Sequence, residues 1–123
     1  MNLVESINWD MGMLESEKIN NLIKDTEDNP KDSNKSSDVG WEYFRRKEYK
    51  LALIWFDKTL YLNPNDIYTL NKRAQTKNIL KDVYGEIEDY SRALKINPKN
   101  TTSLNNRGCC YENLKDFDFL FLV

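Results

Sequence analysis

Histidine is absent from the 123 residues. With it go the side chain that most often activates a nucleophile near neutral pH and the commonest nitrogen ligand of zinc. Only two cysteines occur, and they are neighbours, Cys109 and Cys110, with no second pair to complete a tetrahedral metal site. Adjacent side chains on a helix diverge by about 100°, so one thiol is expected in the core and the other toward a groove or solvent. The four glycines, Gly12, Gly40, Gly85 and Gly108, are scattered and form no phosphate-cradling loop. Carboxylates such as Glu86, Glu88 and Asp89 belong to a charge run of the kind that usually makes a solvated helical face. No catalytic residue, cofactor or metal is expected.

Charge of one sign is also missing. Eighteen Lys and Arg stand against 20 Asp and Glu, without the basic surplus that marks a nucleic-acid partner. No apolar run, the closing Phe119 to Val123 included, approaches the ~20 residues of a membrane span. The opening MNLVESINWD has no basic start and no long apolar stretch, so it does not read as a secretory signal, and the expected location is cytoplasmic. The length suits one domain.

Proline is scarce as well, but its placement is informative. Pro30, Pro64 and Pro98 each follow an asparagine and stand 34 residues apart, which points to stacked copies of one supersecondary unit. Other columns keep the same step: Gly40, Ala74 and Gly108; Tyr49, Val83 and Phe117; Leu53, Ile87 and Phe121; Phe56 and Tyr90. Between the breaks, Tyr49, Ala52, Leu53, Phe56 and Leu60 make an i, i+3, i+4 stripe that Val83, Ile87, Tyr90, Ala93 and Leu94 repeat, so each period ends in an amphipathic helix. Proline disfavours helix at the residue before it, which ends these helices near Asn63 and Asn97, and it can also open the next helix. A second stripe occupies the first half of each period, with polar corners at Lys47-Glu48 and Lys81-Asp82. Each period is therefore expected to be a pair of helices, and the chain all-α.

The residues Gly40, Tyr43, Tyr49, Ala52, Phe56 and Pro64, then Leu70, Ala74, Tyr90, Ala93 and Pro98, then Leu104, Gly108, Tyr111 and Phe117, give the chain a pattern that resembles the tetratricopeptide repeat family. The resemblance covers about two and a half repeats and implies a superhelix of antiparallel hairpins. On this reading, residues 33–66 are the first repeat, 67–100 the second, and 101–123 a third whose second helix is cut short. Residues 1–32 fit less well. Met11, Leu14, Ile19, Leu22 and Ile23 suggest one amphipathic helix, either a cap on the first repeat or a decayed repeat, followed by a polar linker from Thr26 and a new helix from Ser33 onward. The closing FDFLFLV lacks the polar face of a capping helix and is expected to promote self-association.

The middle repeat departs from its neighbours with Lys77 and Glu86. Both are equidistant from the Lys81-Asp82 corner, so they are expected to face one another as a partly buried ion pair.

The resemblance implies a protein-interaction module whose leading helices line a concave groove for a peptide or a partner's helix. Leading-helix positions hold Asn34, Ser37, Trp41, Phe44 and Arg45, then Tyr68, Asn71, Gln75 and Asn78, then Asn105, Cys109 and Glu112. One variety of these domains clamps the acidic C-terminal tail of heat-shock chaperones; at its five places this chain has Ser37, Trp41, Lys72, Thr102 and Asn106, so the clamp is not intact. The expected surface is instead an aromatic patch of Trp41, Phe44 and Tyr68 running into a row of amides, unless Trp41 or Phe44 packs under the N-terminal helix. The alternative is a piece of a larger repeat protein, an enzyme's regulatory array or an assembly or secretion scaffold, without independent activity.

Overall fold

A computed structural model describes the backbone of residues 3–122 and the side chains of residues 14–115. The timing of its helices is set by one turn used three times. At Asn29, Asn63 and Asn97 the carbonyl accepts a hydrogen bond from the N–H three residues on, at Asp32 (3.1 Å), Asp66 (3.3 Å) and Asn100 (3.1 Å). Proline occupies the second position, where its fixed φ suits the turn. The fourth residue is then the N-cap of the following helix: Asp32 accepts from the Asn34 N–H, Asp66 from Thr69 and Asn100 from Ser103. The prolines thus end helices and do not open them; the opening task falls to the acid or amide two residues later.

Six helices result: α1 (Leu3–Asp28), α2 (Ser33–Arg45), α3 (Tyr49–Leu62), α4 (Ile67–Ile79), α5 (Val83–Ile96) and α6 (Thr101–Leu122). No strand occurs among the described residues. Within the pairs α2/α3 and α4/α5 the corner closes in the same way each time. Lys47 and Lys81 adopt φ of 63° and 70°, and the next residue, Glu48 or Asp82, donates back to the carbonyl of Tyr43 or Lys77. These are Schellman ends built on lysine where glycine would be less strained.

α2 packs on α3, α4 on α5, and the pairs are stacked through α3 on α4 and α5 on α6. Leu60, Leu70 and Ala93 join three helices in one apolar cluster, and Ala74, Tyr90 and Cys110 join the next three. Both clusters draw on α4 and α5, so the core follows the stack from one pair to the next. A Cβ on Gly40 would lie 2.6 and 2.7 Å from ring carbons of the buried Phe56, so the glycine lets α2 and α3 approach closely.

Helix α1 packs on α2 and is joined to it by the same Asn-Pro turn that joins α3 to α4. It therefore stands where a trailing helix would precede the first hairpin. Ile19 and Thr26 are buried and lie 34 residues before Leu53 and Leu60, a register that the small-residue sites alone do not reveal. α1 continues through Thr26 to Asp28, which shortens the expected linker to residues 29–32.

A second difference lies at the other end. The expected second helix of the third repeat does not form, and α6 continues unbroken past Lys115 and Asp116, although that pair stands 34 residues after Lys81-Asp82. A left-handed lysine costs about 1–2 kcal/mol, which Lys47 and Lys81 recover through the helix that follows them. After residue 116 only seven residues remain in this chain, too few for a stable antiparallel partner. The side chains of the closing FDFLFLV lie outside the described residues.

Candidate groove on the leading helices

Helices α2 and α4 lead the two pairs and α6 stands one repeat farther on, and their neighbouring faces carry the candidate site. At its first end Trp41 meets Phe44 edge-on, with ring centroids 5.7 Å apart, and Tyr68 at 5.9 Å. Phe44 continues the cluster edge-on to Tyr49 at 5.5 Å. The Lys72 ammonium lies over Trp41 and Phe44, 4.2 and 5.2 Å from their centroids, and donates to Gln75 Oε1 at 3.2 Å. Burial holds the Lys72 pKa below the ordinary lysine value.

Farther along the groove a cavity of about 330 Å3 opens between α4 and α6, lined by Phe44, Gln75, Asn78, Ile79, Glu86, Tyr90, Asn106, Cys109, Cys110 and Asn113. Glu86, only 4% exposed, accepts from Asn78 Nδ2 at 2.8 Å and from the Cys110 thiol at 2.9 Å. Burial, together with the hydrogen bond to Glu86 and the charge of that carboxylate, pushes Cys110 up to about 12. Burial and, secondarily, Glu86 also raise the Tyr90 hydroxyl. Cys110 is thus a protonated donor of the core, and its neighbour Cys109 is exposed, the division that helical spacing implies.

The expected Lys77–Glu86 pair does not form. Lys77 Nζ instead lies 3.1 Å from Asp89 Oδ2, and Arg73 grips the same carboxylate with two nitrogens at 2.9 and 2.7 Å. Asp89 lies one helical turn beyond Glu86 on the same helix, and the long lysine stem reaches it. Arg73 stands one turn before Lys77 and completes the cluster.

The remaining sequence-derived positions divide. Phe44, Gln75, Asn78 and Cys109 line the cavity together, while Trp41 and Tyr68 form the aromatic end. Arg45 does not join them: it is turned toward α1, 2.8 Å from Glu15 and 2.6 Å from Glu42. With Lys18, Leu22, Asp38, Trp41 and Glu42 it lines a separate cavity of about 420 Å3 between α1 and α2. Trp41 therefore belongs at once to the aromatic cluster and to the wall of this second cavity, and is half-buried. Asn71 is buried and bonded within the contact of α4 with the start of α6, its Oδ1 lying 2.7 Å from Ser103 Oγ. Asn34, Ser37, Asn105 and Glu112 do not line the cavity between α4 and α6. On α6 the cavity uses Asn106, Cys109, Cys110 and Asn113, a face turned about one residue from the expected Asn105, Cys109 and Glu112. Glu86 and Tyr90 come from a trailing helix and were invisible to a rule that takes only leading helices.

No group of three or more potential metal ligands gathers among the described residues, and no described helix is long and apolar enough to cross a membrane.

Residues 90–118 match the family model for the tetratricopeptide repeat. The chain is 31% identical over 96 residues to tetratricopeptide repeat protein 37 of Xenopus laevis, a match that covers 78% of this chain and 6% of that protein; the chain thus spans a small fraction of this curated relative. Its fold is similar to the first TPR of Spaghetti (RPAP3) bound to the HSP90 peptide SRMEEVD, with TM-score 0.76 and 19% identity over 90% of this chain and 88% of that one. It is similar also to MamA, with TM-score 0.77 and 20% identity over 87% and 62%. The helical hairpins of this chain are tetratricopeptide repeats, a repeat that generally serves protein–protein interaction.

Proposed function

We propose that the chain is a protein-interaction module, acting as scaffold or adaptor, that holds a peptide or a partner's helix against α2, α4 and α6. The observation that carries this reading is the continuity of the surface: the cavity between α4 and α6 is walled by Phe44 of α2, by Gln75 and Asn78 of α4 and by Cys109 of α6. The aromatic cluster adjoins it through Phe44. Such a surface anchors one or two apolar side chains on the rings and presents amides to an extended backbone. The Spaghetti domain binds an acidic chaperone peptide, but the incomplete clamp here favours a different ligand. A pull-down with wild type and Trp41→Ala, with circular dichroism as the folding control, tests the reading. Loss of partners with the fold intact is the expected result. Partners retained by the folded variant would place the binding surface elsewhere.

A second reading, that the chain is a unit of a longer repeat array, is favoured by one observation. Leu104 and Tyr111 of α6 are 43% and 50% exposed, and a Cβ added to Gly108 would touch nothing. The equivalent residues of α4, Leu70 and Ala74, are fully buried, in an element that packs on α5. A further trailing helix fits the bare face of α6. The mass of the native protein distinguishes the two readings.

A further inference from the structure

Three carboxylates are buried among the described residues: Glu42, Glu86 and Asp89. Two have cations beside them. Glu42 is paired with Lys18, Arg45 and Arg46, and Asp89 with Arg73 and Lys77. Among the described residues Glu86 forms no ion pair with any lysine or arginine; its partners are an amide and a thiol, both neutral. A charge withdrawn from water without a counter-charge is costly, and here the carboxylate borders an open cavity.

From this we infer that Glu86 is the receptor for a cationic side chain, lysine or arginine, of the bound segment. The inference rests on the proposed groove and specifies its ligand. The side-chain amides of Asn106 and Asn113 line the same cavity and are of a type that can accept from the N–H groups of such a cation, while Phe44 provides an apolar wall for the methylene stem. Lys72, the cation at the aromatic end, is held over Trp41 and Phe44 and bonded to Gln75, so it does not neutralise Glu86. Binding would supply the charge that the isolated chain lacks at this position, giving preference for a basic residue set beside a bulky apolar one.

Selection of random displayed peptides on the wild-type chain, on Glu86→Gln and on Glu88→Gln tests this, with folding followed by circular dichroism. The wild-type pool should be enriched in lysine or arginine beside an apolar anchor. Glu86→Gln should lose the basic preference and keep the apolar one, whereas Glu88→Gln, which alters an exposed acid of the same helix, should keep both. The best wild-type peptide, remade with norleucine for lysine or citrulline for arginine, should bind wild type about tenfold more weakly or worse. This last comparison needs no variant and so survives any misfolding of Glu86→Gln. Basic enrichment that persists in Glu86→Gln, or equal binding of the neutral peptide, overturns the inference. An enriched pool without basic residues does the same but leaves the groove standing. A wild-type pool with no enrichment overturns the groove and this inference together.

Discussion

Two glycines of one repeat column show how a residue's role is assigned by what surrounds it. Gly40 is pressed against the Phe56 ring, while Gly108 faces open space. Alanine at position 40 gains helix propensity of about 1 kcal/mol but must displace a buried ring, and overpacking of this kind costs about 1–3 kcal/mol. Gly40→Ala should therefore be net destabilising by up to about 2 kcal/mol in urea unfolding. Gly108→Ala meets no obstacle and should stabilise by about 0.5–1 kcal/mol. The 34-residue column puts the two in one class, and only the presence or absence of a packed partner separates them. The same holds for Glu86: the sequence marks it as a charge in an apolar column, but the partner it takes depends on where the ends of long side chains arrive.

At the scale of elements, the corners and the contact of α1 with α2 make the clearest demands. Lys47 and Lys81 hold left-handed conformations that glycine adopts without strain. Lys47→Gly and Lys81→Gly should each raise stability by about 0.5–1 kcal/mol, read as an increase in the urea midpoint with unchanged slope. The α1–α2 contact includes a cluster of ion pairs. The guanidinium of Arg45, helped by Arg46 and Lys18 and opposed by burial, lowers the Glu42 carboxyl from its ordinary 4.5 to about 2. A carboxylate with a depressed folded-state pKa contributes stability that is present above its unfolded value and lost as pH falls through the folded one. The contribution is thus full above about pH 4.5 and disappears toward pH 2. Glu42→Gln should lower stability at neutral pH by about 1 kcal/mol, since much of the cluster is in water. It should also flatten the dependence between pH 4.5 and 2; an unchanged acid limb would show that the ion pairs of Glu42 contribute nothing to stability.

For the whole molecule, stacking exposes one face at each place where a partner is missing. Leu70→Ala, in the middle of the stack, should cost about 2–5 kcal/mol. Leu104→Ala, one repeat later, should cost under about 0.5 kcal/mol in this chain, because the residue is already 43% exposed. If Leu104→Ala proves as damaging as Leu70→Ala, the α6 face is covered in solution by a second copy. Deleting residues 117–123 and measuring light scattering tests the tail separately: improved monodispersity identifies the tail as the source of self-association.

The repeat period, the all-α class, the ends of α3 and α5, the two corners and the division of Cys109 from Cys110 were determined by the sequence itself, because each depends on interactions within a few residues. Asn-Pro makes a turn at each of its three places, and an i, i+3, i+4 stripe makes one apolar face on any helix. Tertiary structure decided the rest. It sent Lys77 to Asp89, turned Arg45 toward α1, drew Asn71 against the start of α6, and brought Glu86 and Tyr90 of α5 into a groove that leading helices alone were expected to line. It also kept α6 straight through a Lys-Asp pair whose counterpart at Lys81-Asp82 turns the chain. The physical reason is common to these cases. They depend on which groups arrive at one place from distant parts of the chain, and on whether the packing and charge pairing available there outweigh the local cost of conformation and desolvation.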